Sequence, residues 1–194
     1  GIAAATWILL TALQNVRDKV KQRQSWTYLH PSFYGMTTAH LGVAVFVVGV
    51  TLSNAFSVEK DVRMEPHKLL ELAGGYSFIF EGIQPLQGPN YQADQGIVRV
   101  FNNGAELFSL HPEKRIYQVQ RMPMTEAAID WGFTRDIYIA LGEPLNDGAW
   151  SVRVYYKPFI RWIWLGGLLM ALGGLLAATV KRYRRTTFRQ TPTP

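Results

Sequence analysis

Two long apolar runs constrain this chain more than any other feature. From Phe33 to Ser57 no side chain carries a full charge, and the one group that titrates near neutrality is His40. The second run, from Trp162 to Val180, reads Trp-Ile-Trp-Leu-Gly-Gly-Leu-Leu-Met-Ala-Leu-Gly-Gly-Leu-Leu-Ala-Ala-Thr-Val and has no charge at all. About 20 apolar residues cross the hydrocarbon of a bilayer. A soluble core helix of that length keeps a polar stripe, and these runs have none, so both predict membrane spans. A third apolar stretch, Gly1 to Leu13, is too short to span alone. A signal peptide carries its bases before the apolar part, whereas here they follow it. Residues 1–14 therefore predict the end of a truncated span. With Gly1 where a methionine would start a chain, the expectation is a processed product or a piece of something longer.

Charge placement sets an orientation. The basic loop expected over 15–32 carries Arg17, Lys19, Lys21 and Arg23 against Asp18, a net of +3. The tail over 181–194 carries Lys181, Arg182, Arg184, Arg185 and Arg189 with no acid, a net of +5. Residues 57–157 hold 10 bases and 13 acids, a net of −3. Bases beside apolar runs mark the cytoplasmic side of a membrane. The two basic segments are thus expected in the cytoplasm, the spans over 33–56 and 158–180, and the domain over 57–157 outside, in the periplasm of a Gram-negative cell. Tyr155, Tyr156, Phe159, Trp162 and Trp164 suit an aromatic belt where the last span enters, with Lys157 and Arg161 able to snorkel. Gly166-Gly167 and Gly173-Gly174, seven apart, suit close packing on a neighbouring helix. Lipid headgroups or topology explain the basic tail more simply than a nucleic acid does, and no nucleic-acid partner is expected.

The middle region alternates between strand-like runs and turn signals. Tyr76–Phe80, Gly96–Phe101, Glu106–Leu110, Arg115–Val119, Asp136–Ala140 and Trp150–Tyr156 read as strands. Asn102-Asn-Gly104 and Asn146-Asp-Gly148 are hairpin signals, because Asn, Asp and Gly tolerate positive φ. About seven short strands in about 100 residues predict an antiparallel sandwich or barrel. The fold class is therefore membrane α-helical plus β, with transmembrane helices flanking an extracytoplasmic β domain.

The chain has no cysteine. That excludes disulfides, thiolate zinc sites, a catalytic cysteine and covalent haem attachment to this chain. No phosphate-binding loop, dinucleotide fingerprint or nucleophile elbow occurs. His40 is the outstanding candidate, since an ionisable residue inside an apolar span is costly and marks function. Neutral imidazole can ligate haem iron, and Thr37, Thr38 and Gly42 are small neighbours that leave room for a planar ring. A hydrogen bond to another helix is the competing role. His30, His67 and His111 sit in loops without metal-site spacing. Glu126 and Asp130 stand four apart, which on a helix capped by Thr125 would share one face. Acid–base chemistry or a solvated acidic face would both follow from that.

Several runs resemble the CcmF family of cytochrome c maturation proteins. They are Ala39-His-Leu-Gly-Val-Ala-Val-Phe-Val-Val-Gly-Val-Thr, Ser57-Val-Glu-Lys-Asp-Val-Arg-Met64, Thr125-Glu-Ala-Ala-Ile-Asp130, Arg135-Asp-Ile-Tyr-Ile-Ala-Leu-Gly-Glu143, Gly148-Ala-Trp, Val154-Tyr-Tyr-Lys-Pro-Phe-Ile-Arg-Trp-Ile-Trp164 and Leu169-Met-Ala-Leu-Gly-Gly-Leu-Leu176. The resemblance covers about Gly1 to Val180. It implies a haem lyase subunit of the bacterial inner membrane, which joins haem to apocytochrome c through thioether bonds. It implies haem delivery by the chaperone CcmE and partnership with a CcmH-type thiol-handling protein. It also implies a b-type haem (haem b) held between two transmembrane histidines, of which His40 matches the second. The family's tryptophan-rich haem-handling motif, its two periplasmic histidines and its first transmembrane histidine have no counterpart here. The chain thus resembles the C-terminal portion, whose missing ligand comes from the upstream portion, and which is expected to be inactive in ligation by itself. A non-catalytic, membrane-anchored binding module is the alternative from another class.

Overall fold

The computed structural model describes residues 1–23, 31–119 and 121–179. His30, Val180 and the basic tail at 181–194 lie outside the described residues. The chain divides into two units: a helical one formed by residues 1–55 with the segment from 159 onward, and a β unit over 56–158.

The helical unit contains α1 (Ile2–Arg23), α2 (Pro31–Phe56) and α3 (Ile160–Ala178). α1 does not stop at residue 14. It runs on through Arg17, Lys19 and Lys21, so these bases are helical where a loop over 15–32 is expected. Lys and Arg are good helix formers, and the apolar-to-basic transition contains no glycine or proline to end the helix. α2 and α3 are each long and apolar enough to cross a membrane.

α2 and α3 touch backbone to backbone. Gly35, Gly42 and Gly49 repeat every seven residues, close to two helical turns, and so form one stripe on α2. A Cβ on Gly42 would stand 2.6 Å from the Met170 nitrogen and 2.8 Å from the Gly166 carbonyl oxygen. A Cβ on Gly35 would stand 2.7 Å from the Gly173 carbonyl oxygen, and one on Gly49 2.8 Å from the Ile163 nitrogen. The order of these contacts, 35 with 173 and 49 with 163, makes the two helices antiparallel. Small residues permit this approach, which gains dispersion contacts along the whole seam. The two glycine pairs of α3 are not equivalent. Gly166 and Gly173 lie in the seam, whereas Gly167 and Gly174 face open space.

The β unit contains ten strands among the described residues, where about seven are expected from the sequence. β1 (Val58–Met64), β10 (Trp150–Pro158), β9 (Arg135–Pro144) and β8 (Ala128–Trp131) pair in that order as a four-stranded sheet. β2 (Leu69–Glu71), β3 (Tyr76–Gln87), β4 (Tyr91–Asn102), β6 (Glu113–Tyr117) and β7 (Pro123–Glu126) form the facing sheet, with β5 (Ala105–Leu110) also on β4. β5 and β6 pair with successive halves of β4, Asn102–Val98 and Gln95–Tyr91. His111-Pro112 interrupts them because proline has no N–H for the ladder. The Pro112 carbonyl still accepts from Gly96 at 2.8 Å. At both hairpin tips the backbone turns left-handed: Asn103 and Gly104 have φ of 48° and 83°, and Asp147 and Gly148 have 61° and 73°.

The core follows the two-residue alternation. Ile137, Ile139 and Leu141 of β9, with Val152 and Val154 of β10, meet Phe78 and Phe80 of β3 and Val98 and Val100 of β4. All nine are buried, and their apolar area is the main force closing the sandwich. Lys114 of β6 ties the sheets together, donating to the Gly142 carbonyl at 3.1 Å and to Glu143 at 2.8 Å on β9.

The helix seam makes a paired prediction. Gly166→Leu should force α2 and α3 apart and sharply lower the midpoint of heat-induced aggregation in detergent. Gly167→Leu, one residue along and facing open space, should leave the midpoint within a degree or two, since surface changes away from packing are nearly neutral.

Candidate functional site

His40 lies on α2, nine residues into the helix. Its Nδ1 stands 2.8 Å from the Met36 carbonyl oxygen one turn back. A carbonyl only accepts, so Nδ1 is the donor, and in the neutral ring the lone pair then lies on Nε2. This is the tautomer a metal-ligating histidine needs, held by a main-chain acceptor. The ring is exposed, beside the exposed side chains of Met36 and Leu41. At 100° per residue His40 sits about 160° round the helix from Gly42. It therefore faces away from the α3 seam.

That geometry corrects one expectation. Gly42 does not open room beside His40; its missing side chain is used by the Met170 backbone on the opposite face. Thr37, half-buried, turns its hydroxyl onto the Phe33 carbonyl at 2.9 Å. Among the described residues no group of three His, Cys, Asp or Glu side chains could hold a metal ion. A haem, by contrast, asks a given chain for as little as one imidazole nitrogen. His40 offers that, so the donor present fits the implied group.

Glu126 and Asp130 are not a pair. The segment is extended: Glu126 ends β7 and Asp130 is in β8, in opposite sheets. Glu126 pairs with Glu113 in register and lies 3.6 Å from Arg115. Asp130 is bound by Arg135. Pairing with β6 and β9 overrides the local helical spacing, since strand formation is decided by neighbours. The acid–base role and the Thr125 cap both fall with it; the Thr125 hydroxyl donates instead to the Leu141 carbonyl at 3.1 Å. His67 and His111 are exposed, His67 in a left-handed turn at φ 63°.

Two charge clusters escaped the sequence. Arg135 donates to the Tyr76 hydroxyl at 3.1 Å and to Asp130, and its guanidinium lies over Tyr76 and Phe108. Burial pulls its pKa down, but the bonds to Asp130 and Tyr76 outweigh that and hold it above its ordinary value. Tyr76 also meets Tyr156 at 5.6 Å between centroids, and burial pushes the Tyr156 phenol up. This cluster clasps the two sheets, joining β9 to β3. The second cluster is Glu113. Burial raises its carboxyl, yet hydrogen bonds from Arg115 at 2.7 Å and Gln95 at 2.9 Å prevail and hold it below the ordinary value. The contacts to Tyr76 and Gln95 were not legible, because each joins residues on different strands.

An antiparallel β sandwich, carried between two antiparallel helices long and apolar enough for a bilayer, defines an anchored-domain protein with one exposed imidazole on a helix. A family model described as the CcmF C-terminal β-sandwich matches residues 55–158. The chain belongs to the CcmF family. It is 54% identical over 183 residues to the cytochrome c-type biogenesis protein CcmF of Pseudomonas fluorescens, covering 93% of this chain and 28% of that protein. To the Escherichia coli K12 protein of the same name it is 44% identical over 194 residues, covering 100% and 29%. A solved structure titled Cytochrome c Heme Lyase CcmF shares the fold, with a TM-score of 0.73 at 19% identity, over 91% of this chain and 29% of that one. The chain thus spans under a third of the length of these relatives.

Two measurements check the clusters. Arg135→Met leaves Asp130 and Tyr76 without their donor and should cost about 1–3 kcal/mol in urea unfolding followed by β-sheet circular dichroism. For Glu113 the depressed carboxyl stabilises the fold above pH about 4.5, and that contribution is lost as pH falls through the folded value. Glu113→Gln should therefore melt below wild type at pH about 7, with the gap closing towards pH about 3.

Proposed function

We propose that this chain is the C-terminal part of a haem lyase of the bacterial inner membrane, with His40 as one axial ligand of a haem b shared with the upstream portion. The observation that carries this is the Nδ1–Met36 bond, which leaves Nε2 free and aimed off an exposed helix face. When bound, such a haem supplies an electron to the haem being joined by thioether bonds to apocytochrome c. The chain's own residues position the imidazole. The i−4 bond fixes its tautomer and tilt, and the glycine seam fixes α2 on α3. A ligand held on a rigid helix keeps its geometry better than one on a loop.

In this reading α2 and α3 span the membrane, and the sandwich stands in the periplasm. Arg17, Lys19 and Lys21, near the end of α1, and the bases of the tail keep to the cytoplasm. An antiparallel α2 and α3 is what two spans on either side of one external domain require. The sandwich then meets apocytochrome c, CcmE or a CcmH-type protein. A non-catalytic recruiting module has one observation in its favour: Val119, Met122 and Met124 are exposed on the β unit. Haem content separates the two.

The test is a reduced-minus-oxidised absorption spectrum of the complex containing this chain and its upstream portion. His40→Gly should lose the b-type signal and regain it with imidazole in the medium, and His40→Ala should lower cytochrome c assembly. An unchanged signal in His40→Gly refutes the ligand assignment. Absence of the signal in wild type as well favours the recruiting module.

A further inference from the structure

A second donor shares the helix face of His40. Met36 stands four residues back on α2, about 40° round the axis and about 6 Å along it. Both side chains are exposed, Met36 at 43%. The bond from Nδ1 to the Met36 carbonyl, at 2.8 Å, folds the ring back over the turn that carries Met36. The Cβ atoms of such a pair lie about 5–6 Å apart, and the thioether arm is unbranched and adaptable. One metal ion can therefore take a ligand from each. Thr37, on the same side, has already given its hydroxyl to the Phe33 carbonyl. The donors left on this face are an imidazole nitrogen and a thioether sulfur, both uncharged.

Uncharged, soft donors select the ion. Thiolate is excluded, because the chain has no cysteine. Carboxylate is nearly so, since Asp18 is the only acid outside residues 57–157. A divalent ion such as Zn(II) would keep both its charges uncompensated here, and it favours thiolate, imidazole and carboxylate. A soft monovalent ion brings one charge, and thioether is among the ligands that select Cu(I). We propose that Met36 and His40 form a Cu(I) site on α2, with Met36 Sδ and His40 Nε2 as its ligands. The site uses the same nitrogen that the proposed function gives to haem iron. Cu(I) and haem thus exclude each other at His40, and copper is a competitor that closes this chain to haem.

The test uses the whole chain, free of haem, in detergent and without oxygen. Cu(I) is supplied below one equivalent per chain, so that the tightest site fills first. Retained copper is measured after dialysis against a Cu(I)-chelating dye. Met36→Leu and His40→Leu should each lower retention several-fold, and leucine keeps both helix propensity and apolar character. His40→Met exchanges one soft donor for another and should retain copper close to wild type. Helical circular dichroism checks that each variant is folded. Copper-edge X-ray absorption should show sulfur scattering in wild type that disappears in Met36→Leu. No retained copper in wild type overturns the site. Wild-type retention in Met36→Leu overturns the chelate and leaves a lone imidazole. Loss of copper in His40→Met, or Zn(II) retained with the same dependence on residues 36 and 40, overturns the soft-ion assignment. No haem takes part, so failure of the axial-ligand assignment in the spectral test leaves these outcomes unchanged.

Discussion

The ladder between β1 and β10 is the constraint on which the rest depends. These are the first and last strands of the sandwich, and they pair antiparallel over seven residues, from Val58 with Tyr156 to Met64 with Trp150. Pairing of an element's two ends makes the chain enter and leave at one edge. Within the helical unit the glycine seam separately makes α2 and α3 antiparallel. A sandwich whose first and last strands lay in different sheets would separate these junctions.

The seam in turn decides which face of α2 is available. Glycines at 35, 42 and 49 commit one face to α3, and His40, almost diametrically opposite, is left exposed. Helical periodicity thus separates the packing face of α2 from the exposed face that carries His40. The bond to Met36 gives Nδ1 a main-chain acceptor within the same helix. The imidazole needs no polar neighbour on another helix, which suits a residue in apolar surroundings.

The sandwich is held at both ends by charges that bridge sheets, Arg135 with Tyr76 at one and Lys114 with Gly142 and Glu143 at the other. Between them lies an apolar core built from strict alternation. The half-buried guanidinium and ammonium groups are tolerated because each finds acceptors, and a missing partner would leave a costly orphan.

By itself the sequence determined what local pattern can determine. The two apolar runs became α2 and α3, the two Asn/Asp-Gly hairpins turned as their residues demand, and each of the six alternating runs became strand over most of its length. His40 was legible because an ionisable residue in an apolar run is conspicuous without any partner. Non-local pairing decided the rest. The short strands β2, β7 and β8 carry weak patterns and exist through their neighbours, so Thr125–Asp130 spaced like a helix yet folded as two strands in opposite sheets. The basic end of α1 became helix, which charge alone did not indicate. Which glycine of each pair would face α2, and that Arg135 would meet Tyr76 and Glu113 would meet Gln95, depended on contacts between separate elements. Such contacts leave no periodicity in one sequence, because each partner's spacing records only its own element.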